Sequence, residues 1–303
     1  MSSFTRREVL KRSAAVAGMM AVRRPAAAQP ARALRFGYAA ITWGGQDREA
    51  MADIEAVGFH GIQLRTAAVD AFGDRPAELK ELLARHHLTM VALSSGNLGI
   101  DPALQADEMA RHTKNARFVR DLGGLYLQII DTRPKGAVTV ADYTAMGGRL
   151  TELGKRTADI GIPLGYHHHM GSLGQGPDEI ERIMTAADPR YVRLELDVAH
   201  YLQGGGDPVA AIRKYGSQIL FLHLKDVEAR TPQAGDSPPR AYRFVELGRG
   251  RVDLPGVMRA VDDVGFKGWI VVELDAVPDR ARTPRESAEI NRRYITERLG
   301  QAL

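Results

Sequence analysis

Eight short apolar runs, each followed by an amphipathic stretch, set the narrowest limit on what this chain can fold into. The runs lie at 34–41, 61–65, 89–94, 125–130, 163–169, 192–197, 219–225 and 269–273. They are rich in Leu, Ile and Val, the composition of strands buried on both faces. The stretches between them, 48–57, 76–86, 103–122, 140–160, 177–187, 208–215, 254–264 and 284–299, carry apolar residues at helical spacing, as with Leu79, Leu82 and Leu83. Pro76, Pro177, Pro208 and Pro284 open helices, and Gly58, Gly123 and Gly161 close them. This alternation over residues 34–303 predicts an α/β protein, a single-domain (β/α)8 TIM barrel. An open doubly wound sheet is the competing architecture, but no G-x-G-x-x-G follows the first run.

The charge is unevenly placed. Residues 1–28 hold six Lys and Arg against Glu8, a local +5, so the formal +4 of the whole chain leaves −1 for the remainder. That body has no basic footprint for nucleic acid. The leader Thr5-Arg6-Arg7-Glu8-Val9-Leu10-Lys11 resembles a twin-arginine export signal, followed by a weak apolar run and Ala26-Ala27-Ala28. The expectation is a signal peptide at 1–28, a linker at 29–33, passage through the twin-arginine machinery and a periplasmic or secreted bacterial protein. The apolar run is too short to span a bilayer, so no membrane anchor is expected. With no cysteine in the chain, disulfides and thiolate metal ligands are excluded.

The polar residues collect at strand ends, the end where barrel enzymes keep their chemistry. Five of the nine histidines fall between His167 and His223. In Leu164-Gly165-Tyr166-His167-His168-His169, strand alternation puts His167 and His169 on one face, and either imidazole could be a ligand. The next strands end in Asp197, with His200 three residues on, in His223-Leu224-Lys225-Asp226 and in Glu273-Leu274-Asp275. Each has a plain structural alternative: Asp197 capping the next turn, His223 a satisfied core histidine, Glu273 paired with Lys225. Jointly, His, Asp, His and Glu on four consecutive strands point to a divalent cation, because buried unpaired charges would cost several kcal/mol each. A nitrogen and oxygen donor set favours Mn2+, Zn2+ or Co2+ over Mg2+. The long connection 226–253 reads either as a lid over this end or as a surface loop.

The pattern Leu-Asp197-x-x-His200, His223-Leu-Lys-Asp226, Glu246-Leu-Gly248-x-Gly250-x-Val-Asp253 and Val-Glu273 resembles the xylose isomerase-like sugar isomerase/epimerase superfamily. The opening Gly37–Gly45 run, with Ile41-Thr42-Trp43, fits it as well, and the resemblance covers about 34–298. The triple-histidine stretch and His223-Leu224-Lys225-Asp226 look most like its inosose dehydratase branch. By position, the resemblance implies a metal held by His167, Asp197, His223 and Glu273, with His200 beside the substrate and Lys225 near its oxygens. One departure stands out: where epimerases of the superfamily usually carry Glu, the fifth strand has His167. Asp197 and Glu273 alone then balance a dication to net zero, the expected arrangement for a stronger Lewis acid.

The implied reaction is proton abstraction beside the carbonyl of a keto-sugar or inosose, with His169, or Glu273, as base and Lys225 stabilising the oxyanion. Returning the proton elsewhere gives isomerisation or epimerisation. Losing a β-hydroxyl gives dehydration, with His200 as acid. Trp43, Gln63, Arg65, Asn97 and Gln128 end earlier strands and are candidate sugar contacts. A multi-metal nuclease would need a basic groove, which the body lacks. A non-catalytic periplasmic sugar binder would need no metal. The sequence leaves the oligomeric state open.

Overall fold

The computed structural model describes residues 34–232 and 241–303. The proposed export signal at 1–28 and the linker at 29–33 lie outside the described residues. Eight parallel strands close into a barrel: β1 (Arg35–Ala39), β2 (Gly61–Arg65), β3 (Thr89–Leu98), β4 (Tyr126–Asp131), β5 (Leu164–His167), β6 (Val192–Asp197), β7 (Ile219–Leu224) and, pairing with β1 to complete the ring, β10 (Trp269–Val272). Helices α1 (Asp47–Val57), α2 (Thr66–Phe72), α3 (Pro76–Arg85), α4 (Gln105–Leu122), α5 (Val140–Ile160), α6 (Pro177–Ala186), α7 (Val198–Gln203), α8 (Pro208–Tyr215), α9 (Leu254–Asp263) and α10 (Pro284–Arg293) connect them. The predicted (β/α)8 architecture is the one observed.

Two apolar cores hold this arrangement. The larger lies between strands and helices and includes Ile54, Leu79, Val119, Leu150, Ile183 and Ile212. The smaller fills the barrel interior with Ala39, Val91, Leu220, Phe221, Trp269 and Val271. Tyr126 stacks on Phe221 with ring centroids 5.5 Å apart. The plug needs Gly61, since a Cβ there would stand 2.4 Å from the Trp269 ring and 2.6 Å from Val91.

The structure departs from the sequence expectations in specific places. β5 closes at His167 rather than at 169, because the chain turns and the Ser172 amide donates to the His169 carbonyl (3.1 Å). His169 is therefore not a strand residue, and the alternation argument for its direction does not apply. Helices α2 and α7 were not expected. They follow their strands without a loop, so their residues read as strand flanks; the Asp197 side chain caps α7. The 226–253 connection contains an antiparallel hairpin of β8 (Asp226–Ala229) and β9 (Tyr242–Val245). Its base is pinned by the Asp226 carboxylate, which accepts from the amides of Gly248 and Gly250 (both 2.9 Å) and Val252 (3.1 Å).

A buried cluster fastens the irregular end of β3 to α4. His112 faces Ser95 Oγ through Nδ1 (2.7 Å) and the Asn97 carbonyl through Nε2 (3.1 Å), and Asn115 donates to Ser95 Oγ (2.8 Å). The carbonyl can only accept, so neutral His112 donates from Nε2 and accepts at Nδ1. Burial, with Arg111 adjacent, pulls His112 down from 6.5 to about 4. The unfolded chain therefore binds this proton at a higher pH than the folded one. Stability attributable to His112 should be whole above pH 6.5 and decline as pH falls toward 4, by about 3 kcal/mol across the window. Urea midpoints at pH 7.5 and 4.5 should converge in His112→Gln relative to the parent; an unchanged gap would reject the assignment.

Candidate metal centre

Because strand side chains alternate, each barrel strand sends every second residue inward. The inward columns run from apolar to polar along the chain direction: Tyr126 then Gln128, Gly165 then His167, Phe221 then His223, and Trp269, Val271 then Glu273. A polar layer therefore sits on the apolar plug at the carboxyl ends of the strands. Parallel register places Asp197 beside His223 and His167 beside Glu195.

His167, Asp197, His223 and Glu273 each offer one ligand atom, and these atoms lie within 4.8 Å of one another. His223 Nδ1 is 3.6 Å from Asp197 Oδ2 and 3.5 Å from Glu273 Oε2. The plain structural alternatives for the two acids are also real, and each uses only one oxygen. Asp197 Oδ1 accepts from the amides of Ala199 and His200 (both 2.8 Å), capping α7. Glu273 Oε1 accepts from Lys225 Nζ (2.7 Å). What remains faces inward: Asp197 Oδ2 and His223 Nδ1 are buried with no hydrogen-bond partner among the described residues. Unsatisfied buried acceptors converging on one point are costly, and a cation among them relieves that cost. Two imidazoles and two carboxylates suit a first-row dication of the Zn2+, Mn2+ or Co2+ kind, so the residues present fit a bound metal.

The electrostatics agree with that fit. Burial would lower His223, but Glu195, Glu273 and Asp197 outweigh it and raise the imidazole to about 9. Burial would raise Asp197, yet His200, Lys225 and His223 hold it well below the carboxylate range. Glu273 is brought to about 2 against its own burial by His223, Lys225 and His167. The acids and the basic groups of the centre thus hold one another in their charged forms.

The balance expected from sequence needs correction. Glu195 is a third carboxylate, fully buried, with Oε2 2.6 Å from His167 Nδ1 and Oε1 3.2 Å from His223 Nδ1. Three carboxylates rather than two therefore stand at the centre, and no carboxylate is missing from it to strengthen a Lewis acid. Period-two spacing from Asp197 places Glu195 on the inner face, two residues before the strand end.

His169 lines a cavity of about 140 Å³ together with Gln63, Arg65, Gln128, His167 and Glu273. Its Nδ1 lies 2.8 Å from the Met170 carbonyl, which only accepts, so Nδ1 carries the proton and Nε2 the lone pair. Burial, then His167 and Lys225, lower its affinity for a second proton. His200 packs behind it, ring centroids 3.9 Å apart, and is itself fully buried, accepting from the Met170 amide at Nδ1 (3.3 Å). Lys225 is fully buried, with Nζ 2.7 Å from Glu273, 2.5 Å from Asp275, 3.4 Å from His200 Nε2 and 4.0 Å from the Phe244 ring centroid. Burial would lower this ammonium, but Asp275, Glu273 and Asp197 raise it above its ordinary value. His168 points outward against Tyr201, and its Nε2 accepts from the Asp197 amide (3.3 Å).

The candidate sugar contacts are dispersed. Gln63, Arg65 and Gln128 line the cavity. Trp43 is buried against Tyr38 and spends its indole N–H on Asp53 (2.9 Å). Asn97 is exposed on β3, its carbonyl taken by Arg111 and His112. Neither Trp43 nor Asn97 lines the cavity.

Comparison with known proteins follows the same lines. The chain is 30% identical to the rhizopine catabolism protein MocC of Rhizobium meliloti, over 81% of this chain and 73% of that one. It is 27% identical to an inosose dehydratase of Bacillus velezensis, over 87% and 96%. Among solved structures, the IolI protein with a bound zinc atom superposes with a TM-score of 0.73 at 18% identity, covering 88% of this chain and 98% of that one. A family model matches residues 51–296, and on that span the chain belongs to the xylose isomerase-like TIM barrel family.

Proposed function

We propose that this protein is a metal-dependent enzyme that removes the proton next to the carbonyl of a polyhydroxy ketone, an inosose or keto-sugar, and eliminates the β-hydroxyl as water. The observation that carries the reading is the set His167, Asp197, His223 and Glu273, with unsatisfied inward atoms, directly below a cavity that His169 lines. The inosose dehydratases among the relatives support the choice of substrate class. Bound at this set, a dication supplies Lewis acidity toward the substrate carbonyl.

The remaining work falls to the chain. His169 is the base: its Nε2 lone pair faces the cavity while Met170 holds the opposite nitrogen, and burial keeps the ring neutral and ready to accept. The C–H proton passes to Nε2, the electron pair left on the α-carbon forms the C=C bond as the β C–O bond breaks, and the same proton leaves with the hydroxyl as water. One group can serve as base and acid when both bonds break on one face. His200 supports the His169 ring rather than reaching substrate, since it is enclosed by His169 and Phe244. Lys225 binds Glu273 and Asp275 and keeps Glu273 ionised, and it does not line the cavity. Arg65 and the Gln63–Gln128 pair offer donors to hydroxyls at the cavity wall.

Isomerisation or epimerisation of the same substrates is the second reading, favoured by structural likeness to a D-allulose 3-epimerase (TM-score 0.69, 19% identity). It needs a second base on the opposite face. Glu273 is the candidate, although Lys225 occupies one of its oxygens.

Assays of metal-stripped and reconstituted protein on inososes and keto-sugars in D2O test the reading. Deuterium uptake and a new enone chromophore should depend on metal; exchange without loss of water would select isomerisation, and no exchange on any substrate would remove the reaction. His169→Ala should keep its metal and lose about 10²-fold or more in kcat; full turnover would reject His169 as the base. Export rests on the leader alone. Arg6→Lys with Arg7→Lys should retain the full-length chain in the cytoplasmic fraction, and unchanged export would dismiss the twin-arginine route.

A further inference from the structure

We propose that Glu195 is a positioning residue of the metal centre, setting the proton placement of His167 directly and that of His223 through the Gln128–Gln63 amide chain. The inference rests on the dication reading above and extends it to a residue outside the ligand set.

Glu195 is fully buried, and Phe221 and Trp269 of the apolar plug lie in the layer beneath it. A carboxylate in that setting costs several kcal/mol unless it is compensated. The described partner on one side is a neutral amide, Gln128 Nε2, donating to Oε2 (2.7 Å). Glu195 Oε1 has no hydrogen-bond partner among the described residues, nor has His167 Nδ1, although it stands 2.6 Å from Oε2. The other side of the carboxylate faces two imidazole nitrogens, His167 Nδ1 at 2.6 Å and His223 Nδ1 at 3.2 Å.

The amides fix which nitrogen does what. Gln128 gives its NH2 to Glu195 and its carbonyl to Gln63 Nε2 (3.1 Å). Gln63 has thus used its NH2, and its carbonyl oxygen faces His223 Nε2 (2.8 Å). A carbonyl only accepts, so His223 donates from Nε2 and keeps the Nδ1 lone pair for the ion. At His167 the closer contact decides, Glu195 Oε2 to Nδ1 at 2.6 Å against 3.2 Å at His223, placing the proton on Nδ1 and leaving Nε2 for the ion. Gln63, Gln128 and Glu195 form a polar chain that starts at one ligand and ends at the other. This is what the carboxylate at 195 does that an apolar residue could not.

The test compares full-length parent protein with Glu195→Gln, an isosteric change that removes the charge. Metal-stripped samples are titrated with ZnCl2 against a competing chelator, apo Tm is measured, and Co2+-loaded samples are examined by visible absorption. Expected is a Zn2+ Kd about 10–100-fold weaker. Stoichiometry and the Co2+ band intensity should stay as in the parent, with apo Tm unchanged or higher, since one buried charge is gone. An unchanged Kd would overturn the proposal. So would a Co2+ spectrum of altered coordination, which would make Glu195 a ligand, or a lowered apo Tm, which would make it part of the scaffold. If the parent itself bound no dication, the functional reading would fail along with it.

Discussion

The structure turns on how the buried carboxylates are divided. Asp197 and Glu273 each commit one oxygen to the scaffold, to the first amides of α7 and to Lys225, and leave the other pointing at His223. A carboxylate held at one oxygen has a fixed direction for the second, and that is how a barrel presents ligands without relying on the ion to organise them. The same division explains why the structural and functional readings of these residues are not rivals. Capping a helix and binding a cation use different atoms of one side chain.

That layer is built on top of another. Trp269, Phe221 and Val91 fill the lower barrel, with Gly61 leaving the room they need. Above the plug lie the acids and imidazoles, with the amides of Gln63 and Gln128 bonded among them. Polarity rises along the inward columns, from Phe221 to His223 and from Val271 to Glu273. Lys225 belongs to the same scheme, being enclosed by Glu273, Asp275 and the Phe244 ring rather than extended to solvent. The hairpin after β7 contributes Phe244 to this wall, and Asp226 holds the hairpin's root.

Family membership and this geometry constrain the chemistry without making it redundant with that of any one relative. His167 stands where a carboxylate is common in the resemblance read from sequence, and Glu195 returns a carboxylate to the centre from a different strand. The negative charge near the ion is therefore relocated rather than lost. Two acids on opposite faces of a substrate suit reversible proton exchange. One imidazole on the cavity side, with the remaining acids tied to Lys225 and to the scaffold, fits the elimination proposed above.

Much of this was legible in the chain itself. Strand and helix alternation, with Pro at helix starts and Gly at their ends, determined the barrel, because short apolar runs buried on both faces admit few other closures. The clustering of His167, Asp197, His223 and Glu273 was readable because strand ends share one rim. Three things were decided only by tertiary structure. His169 leaves β5 and takes its direction from a turn, which period-two reasoning does not reach. Trp43 and Asn97 end strands yet stay out of the cavity, because the indole is drawn to Asp53 and β3 is irregular before Asn97. Glu195 carries its meaning through atoms of His167, Gln128, Gln63 and His223 that are distant in sequence, and a polar chain across five strands exists only once the barrel has closed.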